Sequence, residues 1–155
     1  MFQPFSTAIA AVLSFLVTME AGAARAQLPA VSSEATFTAD GRKPLSGARI
    51  AQMLVGNTTY SIYLAASQGQ PRGTVTSIFW RDRRRATIVL PPTGTKVDAS
   101  WWIEADRLCL KYVMGNEVAD CARLYEVEGT HYSCLQSSGR CIFMLRMVPG
   151  NAEKL

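Results

Sequence analysis

The sequence contains one histidine, His131, no Cys-x-x-Cys pair, and no apolar run long enough to cross a bilayer as a helix. Each shortage narrows the possible functions. One histidine cannot build a familiar Cys/His zinc box. Ser-His-Asp chemistry would have to run through that same residue, which sits in the strand-like "THYSC", where a surface or partly packed role is expected. A glycine-rich phosphate loop and the D-x-[DN]-x-[DN]-G calcium pattern are both missing. Glu104, Asp106, Glu117, Asp120, Glu126 and Glu128 are placed mostly at turns and strand ends, where carboxylates face water rather than pair for acid–base work. No catalytic residue, metal site or cofactor is expected.

Strong charge of either sign is also missing. Sixteen Lys and Arg against twelve Asp and Glu give a net charge of +4. That suits solubility and attraction of anions, but it is not the footprint of a dedicated nucleic-acid binder.

What is present begins with "MFQPFSTAIAAVLSFLVTMEAGAARAQ". Ala8 to Met19 is an apolar run of about a dozen residues, the length of a signal-peptide core. Ala24-Arg25-Ala26 fits a cleavage site, although the preceding "MFQPFST" carries no Lys or Arg. Residues 1–26 therefore read as a signal peptide and the chain as periplasmic or secreted. Cleavage removes Arg25 and Glu20 and leaves the net charge unchanged.

An exported chain with an even number of cysteines reads first as disulfide-bonded. The four are Cys109, Cys121, Cys134 and Cys141. A three-residue turn at Met114 to Asn116 would place Cys109 directly opposite Cys121, whereas a two-residue Gly-Asn turn would oppose it to Ala122. In "CLQSSGRC", a loop from Gln136 to Gly139 sets Leu135 against Arg140 and Cys134 against Cys141. The expected pairing is Cys109–Cys121 and Cys134–Cys141, as staples rather than reactive thiols.

Residues 27–44, rich in Ser, Thr, Ala and Pro, read as a flexible lead-in with at most one short strand around Ala35 to Thr38. Ser46 is placed to cap a short helix with Ile50, Met53 and Leu54 on one face and Gly56 at its end. It is the only helix expected after the signal peptide. The period then becomes two, with Tyr60, Ile62 and Leu64 alternating with Thr59, Ser61 and Tyr63. Strands follow at Thr74–Trp80, Ala86–Leu90, Ala99–Glu104, Arg107–Val113, Val118–Glu126, Thr130–Leu135 and Cys141–Val148. If "RDRRR" is a loop, Trp80 pairs with Ala86, Ile78 with Ile88 and Thr76 with Leu90, which gathers apolar groups on one face. Seven to eight antiparallel strands in a meander are best served by closing into a small barrel, which leaves no edge exposed. The fold is thus mainly β, with one short N-terminal helix that could cover an open end. One domain spans 45–150, and 151–155 is a tail.

"LSGARIAQMLVGNTTY", "WWIEADRLCLKY" and "VADCARLY" together resemble a family of small exported alphaproteobacterial proteins known only as a domain of unknown function. The matching positions are Leu45, Gly47, Ile50, Leu54, Gly56, Thr58, Trp101, Leu108, Cys109 and Cys121, within Leu45 to Tyr125; the Cys134/Cys141 hairpin is an addition. The resemblance implies a periplasmic β-domain and no activity.

The most distinctive polar feature is "FWRDRRR". Arg81, Arg83, Arg84 and Arg85 could grip phosphate, sulfate or carboxylate groups of an anionic lipid, a polysaccharide or an acidic protein, with Trp80 stacking beside them. The bland alternative is a solvated hairpin tip. Trp101, Trp102, Tyr60, Tyr63, Tyr112 and Phe143 invite a ligand pocket, though an ordinary core would also use them. Adjacent Trp101 and Trp102 must face opposite sides of a strand, one toward the core and one toward a contact surface. The expected function is non-enzymatic binding, directed at an anionic envelope component. The alternatives are a small periplasmic enzyme with an unrecognised site, or an inhibitor or effector that acts on another protein.

Overall fold

A computed structural model describes residues 29–67, 69–112 and 119–155. The expected signal peptide and the Met114–Asn116 turn lie outside the described residues. Eight strands form a closed antiparallel barrel: β2 (Thr58–Tyr63), β3 (Val75–Trp80), β4 (Arg85–Leu90), β5 (Thr95–Glu104), β6 (Arg107–Tyr112), β7 (Asp120–Val127), β8 (Thr130–Leu135) and β9 (Arg140–Val148). They run up and down in chain order, and β9 pairs with both β8 and β2 to close the ring. An additional two-residue strand, β1 (Ser32–Ser33), pairs with the start of β9.

The register matches the spacing argument where hydrophobic pattern and turn length agree. Trp80 pairs with Ala86 and Ile78 with Ile88, and that ladder runs as far as Ser77–Val89. Cys109 faces Cys121 and Cys134 faces Cys141, and both pairs are disulfide-bonded. Strand β5 starts at Thr95 rather than Ala99, so the turn after β4 is tighter than expected. Val97 explains the early start: it points inward, is buried, and pairs with Ile88.

Helix α2 (Gly47–Leu54) forms where expected. The Ser46 hydroxyl accepts a hydrogen bond from the Arg49 amide at 3.3 Å, and Gly56 takes a positive φ of 78° just past the end. Its Ile50, Met53 and Leu54 are buried among Ile78, Trp80, Trp101, Leu108, Leu124 and Leu145. Each such side chain contributes roughly 1.5–3 kcal/mol on burial, enough to hold an eight-residue helix that would not persist alone. Gly47 lets it sit so close, because a Cβ there would lie 2.5 Å from Ile103 Cγ2. The Gly47 amide donates to Asp106 Oδ1 at 2.6 Å, which ties the helix to the β5–β6 turn. Helix α2 therefore closes one end of the barrel.

The lead-in corrects the sequence reading. Residues Glu34–Ala39 form a second helix, α1, rather than a flexible segment or a strand. Ser33 caps it, accepting from the Thr36 amide at 3.1 Å. Phe37 packs on the outer wall against Tyr125 and Tyr132, with ring centroids 5.1 and 5.6 Å apart. Together with the Cys134–Cys141 disulfide, these rings make a small second core outside the barrel. Glu34 Oε1 accepts from Arg123 Nη1 at 2.6 Å and from the Tyr125 hydroxyl at 3.2 Å. The tail also docks: buried Thr58 donates to the Gly150 carbonyl and accepts from the Ala152 amide.

Candidate functional site

Inside the barrel, strand alternation brings side chains from β2, β3, β6, β7, β8 and β9 around a chamber of about 150 Å³. It runs from Ile78 and Trp80 near α2 to Tyr63, Tyr112, Asp120 and Leu135 toward the opposite end. The β4–β5 side of the interior is filled instead by Ile88, Val97 and Trp101. The chamber exists because four of its wall positions carry short side chains: Ser61, Thr76, Ala122 and Ser133. Leu or Phe at those positions would have filled the space to ordinary core density.

Chemically the chamber has two kinds of wall. Leu108, Leu110, Leu135, Leu145, Ile78 and Phe143 are apolar. Ser61, Thr76 and Ser133 are buried hydroxyls, and Ser61 and Thr76 are direct cross-strand partners. Trp80 donates its indole N–H to Thr59 Oγ1 at 2.9 Å, so its polar edge is already satisfied. Thr76 differs: its hydroxyl is buried and finds no hydrogen-bond partner of ordinary geometry among the described residues. Tyr63 packs edge-to-face on Phe143 with ring centroids 4.7 Å apart. Burial pushes the Tyr63 phenol above its ordinary pKa, while the nearby Thr76 hydroxyl opposes that shift without making a hydrogen bond of ordinary geometry. Asp120 is the one charged residue in the wall among the described residues, and its Oδ2 accepts from Ser137 Oγ at 2.9 Å.

The arginine loop lies at the α2 end. Asp82 Oδ1 accepts the amides of Arg84 and Arg85 at 2.8 and 2.9 Å, and Asp82 Oδ2 accepts from Arg85 Nε at 2.7 Å. These contacts, the Arg84 amide foremost, lower the Asp82 pKa. Trp101 Nε1 donates to the Asp82 carbonyl at 2.8 Å from below. Arg81 stands 4.0 Å from Asp98. Arg83 and Arg84 are exposed and make no ion pair among the described residues.

The three tryptophans separate. Trp80 and Trp101 are core residues packed edge-to-face at 5.2 Å. Trp80 therefore does not stack beside the exposed arginines; it faces the chamber instead. Trp102 stays on the outer wall, 37% exposed, with its indole N–H toward Glu104. The other carboxylates are dispersed: Asp106 holds α2, and Glu126 Oε2 lies 3.6 Å from His131 Nε2, away from the chamber wall. Glu117 lies outside the described residues. Glu104 stands near Cys109 and Cys121, but sulfurs bonded to each other are not thiolate ligands.

No single residue type marked the chamber in the sequence. The nearest signal was the set of alternate hydroxyls in "TTYSIY" and "TVTS": Thr59, Ser61 and Thr76 fall on what proves to be the inner face of two paired strands. No family model matches the sequence, and no curated protein or solved structure matches it either.

Proposed function

We propose that this protein is a non-enzymatic binding protein that holds one small molecule inside its barrel. The chamber carries this reading. A closed barrel with an ordinary packed core has large residues at inward positions, whereas here four short side chains keep volume open along one wall. Tyr63, Tyr112, Trp80 and Phe143, the aromatics that suggested a pocket, supply much of its surface. Export after Ala26 into a bacterial periplasm belongs to the same reading and is supported by two disulfides, which fit an oxidising compartment.

Native mass spectrometry on protein purified from the envelope of its source cells tests the reading. The expected result is an additional mass that is retained under gentle conditions and lost on denaturation. A bare monomer mass, unchanged across preparations, would count against it.

A second reading is favoured by one observation: the Asp82-braced loop holds Arg83 and Arg84 outward without carboxylate partners among the described residues. In this reading the loop recognises an anionic lipid, polysaccharide or acidic protein. Replacing both residues with Gln should weaken binding to anionic vesicles at low salt and leave the fold intact. Unchanged binding would remove the loop from consideration.

A further inference from the structure

We infer that the chamber's ligand is a compact, uncharged ring compound bearing one hydroxyl group, of about the size of phenol, and that Thr76 is its specificity-determining contact. This inference rests on the chamber being the binding site. Three observations on the wall define the ligand class.

The first is size. A volume of about 150 Å³ suits a single six-membered ring rather than a fatty acid or a fused-ring sterol. The walls that would sandwich it are Phe143, Tyr63 and Trp80, from the adjacent strands β9, β2 and β3, on one side and Leu108 and Leu110 of β6 on the other. Aromatic and branched aliphatic surfaces favour a flat apolar body.

The second is charge. Among the described residues Asp120 is the one charged side chain in the wall, and Ser137 already donates to it. Among the described residues, no Lys, Arg or His lines the chamber. An anion would enter without a counter-charge and would face that carboxylate. A cation would lose its hydration for a carboxylate that is already engaged. A neutral molecule meets neither penalty.

The third is the hydroxyl of Thr76. It is buried, faces the chamber beside the Tyr63 phenol, and has no hydrogen-bond partner of ordinary geometry among the described residues. A polar atom left in that state destabilises the fold, and valine has the same shape without the cost. A ligand hydroxyl satisfies it as donor or acceptor, because both groups can play either part. Ser61, directly across the ladder from Thr76, and Ser133 offer further hydroxyls to the same ligand group.

The test is isothermal titration of the purified protein and of Thr76→Val with four probes of one size: phenol, toluene, benzoate and benzylamine. The wild type should bind phenol roughly tenfold more tightly than toluene, the magnitude of one buried hydrogen bond gained. Benzoate and benzylamine should bind more weakly than either. In Thr76→Val the preference for phenol should fall to about one while toluene binding is retained; that retention shows the variant to be folded with its chamber intact. Equal affinity for phenol and toluene in the wild type, or a preference that survives in Thr76→Val, would overturn the ligand class and leave the chamber reading standing. Tightest binding of benzoate or benzylamine would overturn the class in the same way. If no probe binds, the class fails, and native mass spectrometry then separates the cases. A carried mass preserves the chamber as a binding site, while a bare mass ends both proposals.

Discussion

Ser61 and Thr76 face each other across the β2–β3 ladder with both hydroxyls inside the barrel, and the Thr76 oxygen has no hydrogen-bond partner of ordinary geometry among the described residues. Sequence alternation alone left open which face of β2 was buried. The inner face proves to be the hydroxyl-bearing one: Thr59, Ser61 and Tyr63 are buried, while Tyr60 and Ile62 are only partly so. A barrel that only needed stability would place Val or Leu at these positions.

Thr76→Val should therefore stabilise the ligand-free protein by about 1 kcal/mol, because it removes an unsatisfied buried hydroxyl and keeps its volume. The melting temperature of ligand-free protein should rise by a few degrees. A fall would mean that the hydroxyl is satisfied in solution.

The disulfides close loops of 12 and 7 residues between facing strands. On chain-entropy grounds, replacing Cys109 and Cys121 together with Ser should cost about 3 kcal/mol, and replacing Cys134 and Cys141 about 2.5 kcal/mol. Urea denaturation of each double variant measures this. Midpoints equal to wild type would show that the barrel holds its register without them.

Helix α1 is held by Phe37 against Tyr125 and Tyr132 and by the Glu34–Arg123 pair. Phe37→Ala should cost about 3 kcal/mol. In hydrogen exchange, amides of Glu34–Ala39 should lose protection while those of β3 to β5 keep theirs. Uniform loss along the chain would contradict this local role.

Three tyrosines have raised pKa values: Tyr60 through its hydrogen bond to Glu153, and Tyr63 and Tyr125 chiefly through burial. The neutral phenol is the form favoured by folding. The stability it contributes is complete below about pH 10 and is lost as pH rises through the raised folded values. Ultraviolet titration should show those three ionising after the ordinary tyrosine range, with unfolding following at higher pH. Ionisation of all five in one step near pH 10 would contradict the burial of Tyr63 and Tyr125.

Much of the barrel could be read from local pattern, for physical reasons visible in particular residues. The Ser46 cap, the spacing of Ile50, Met53 and Leu54, and the Trp80–Ala86 and Cys134–Cys141 pairings all follow from neighbours in sequence. Helix α1 could not be read in this way. Its six residues include two threonines and no long apolar stripe, and it is stabilised by Tyr125 and Tyr132, some ninety residues away. The chamber was hidden for the same reason. Ser61, Thr76, Ala122 and Ser133 are individually unremarkable, and they become a cavity wall only when four strands bring them round one axis. Trp101 and Trp102 show the limit most simply. Alternation requires them to point opposite ways, but only the packed barrel shows that Trp101 is the inner one.

The most direct measurement for the barrel interior as the binding site is methyl-resolved NMR during a phenol titration. The methyl resonances of Thr76, Ile78, Leu108 and Leu110 should shift together and saturate, while those of Val31 and Val75 on the outer surface stay in place. Phenol-induced shifts confined to the outer surface, with the chamber methyls unmoved, would contradict it.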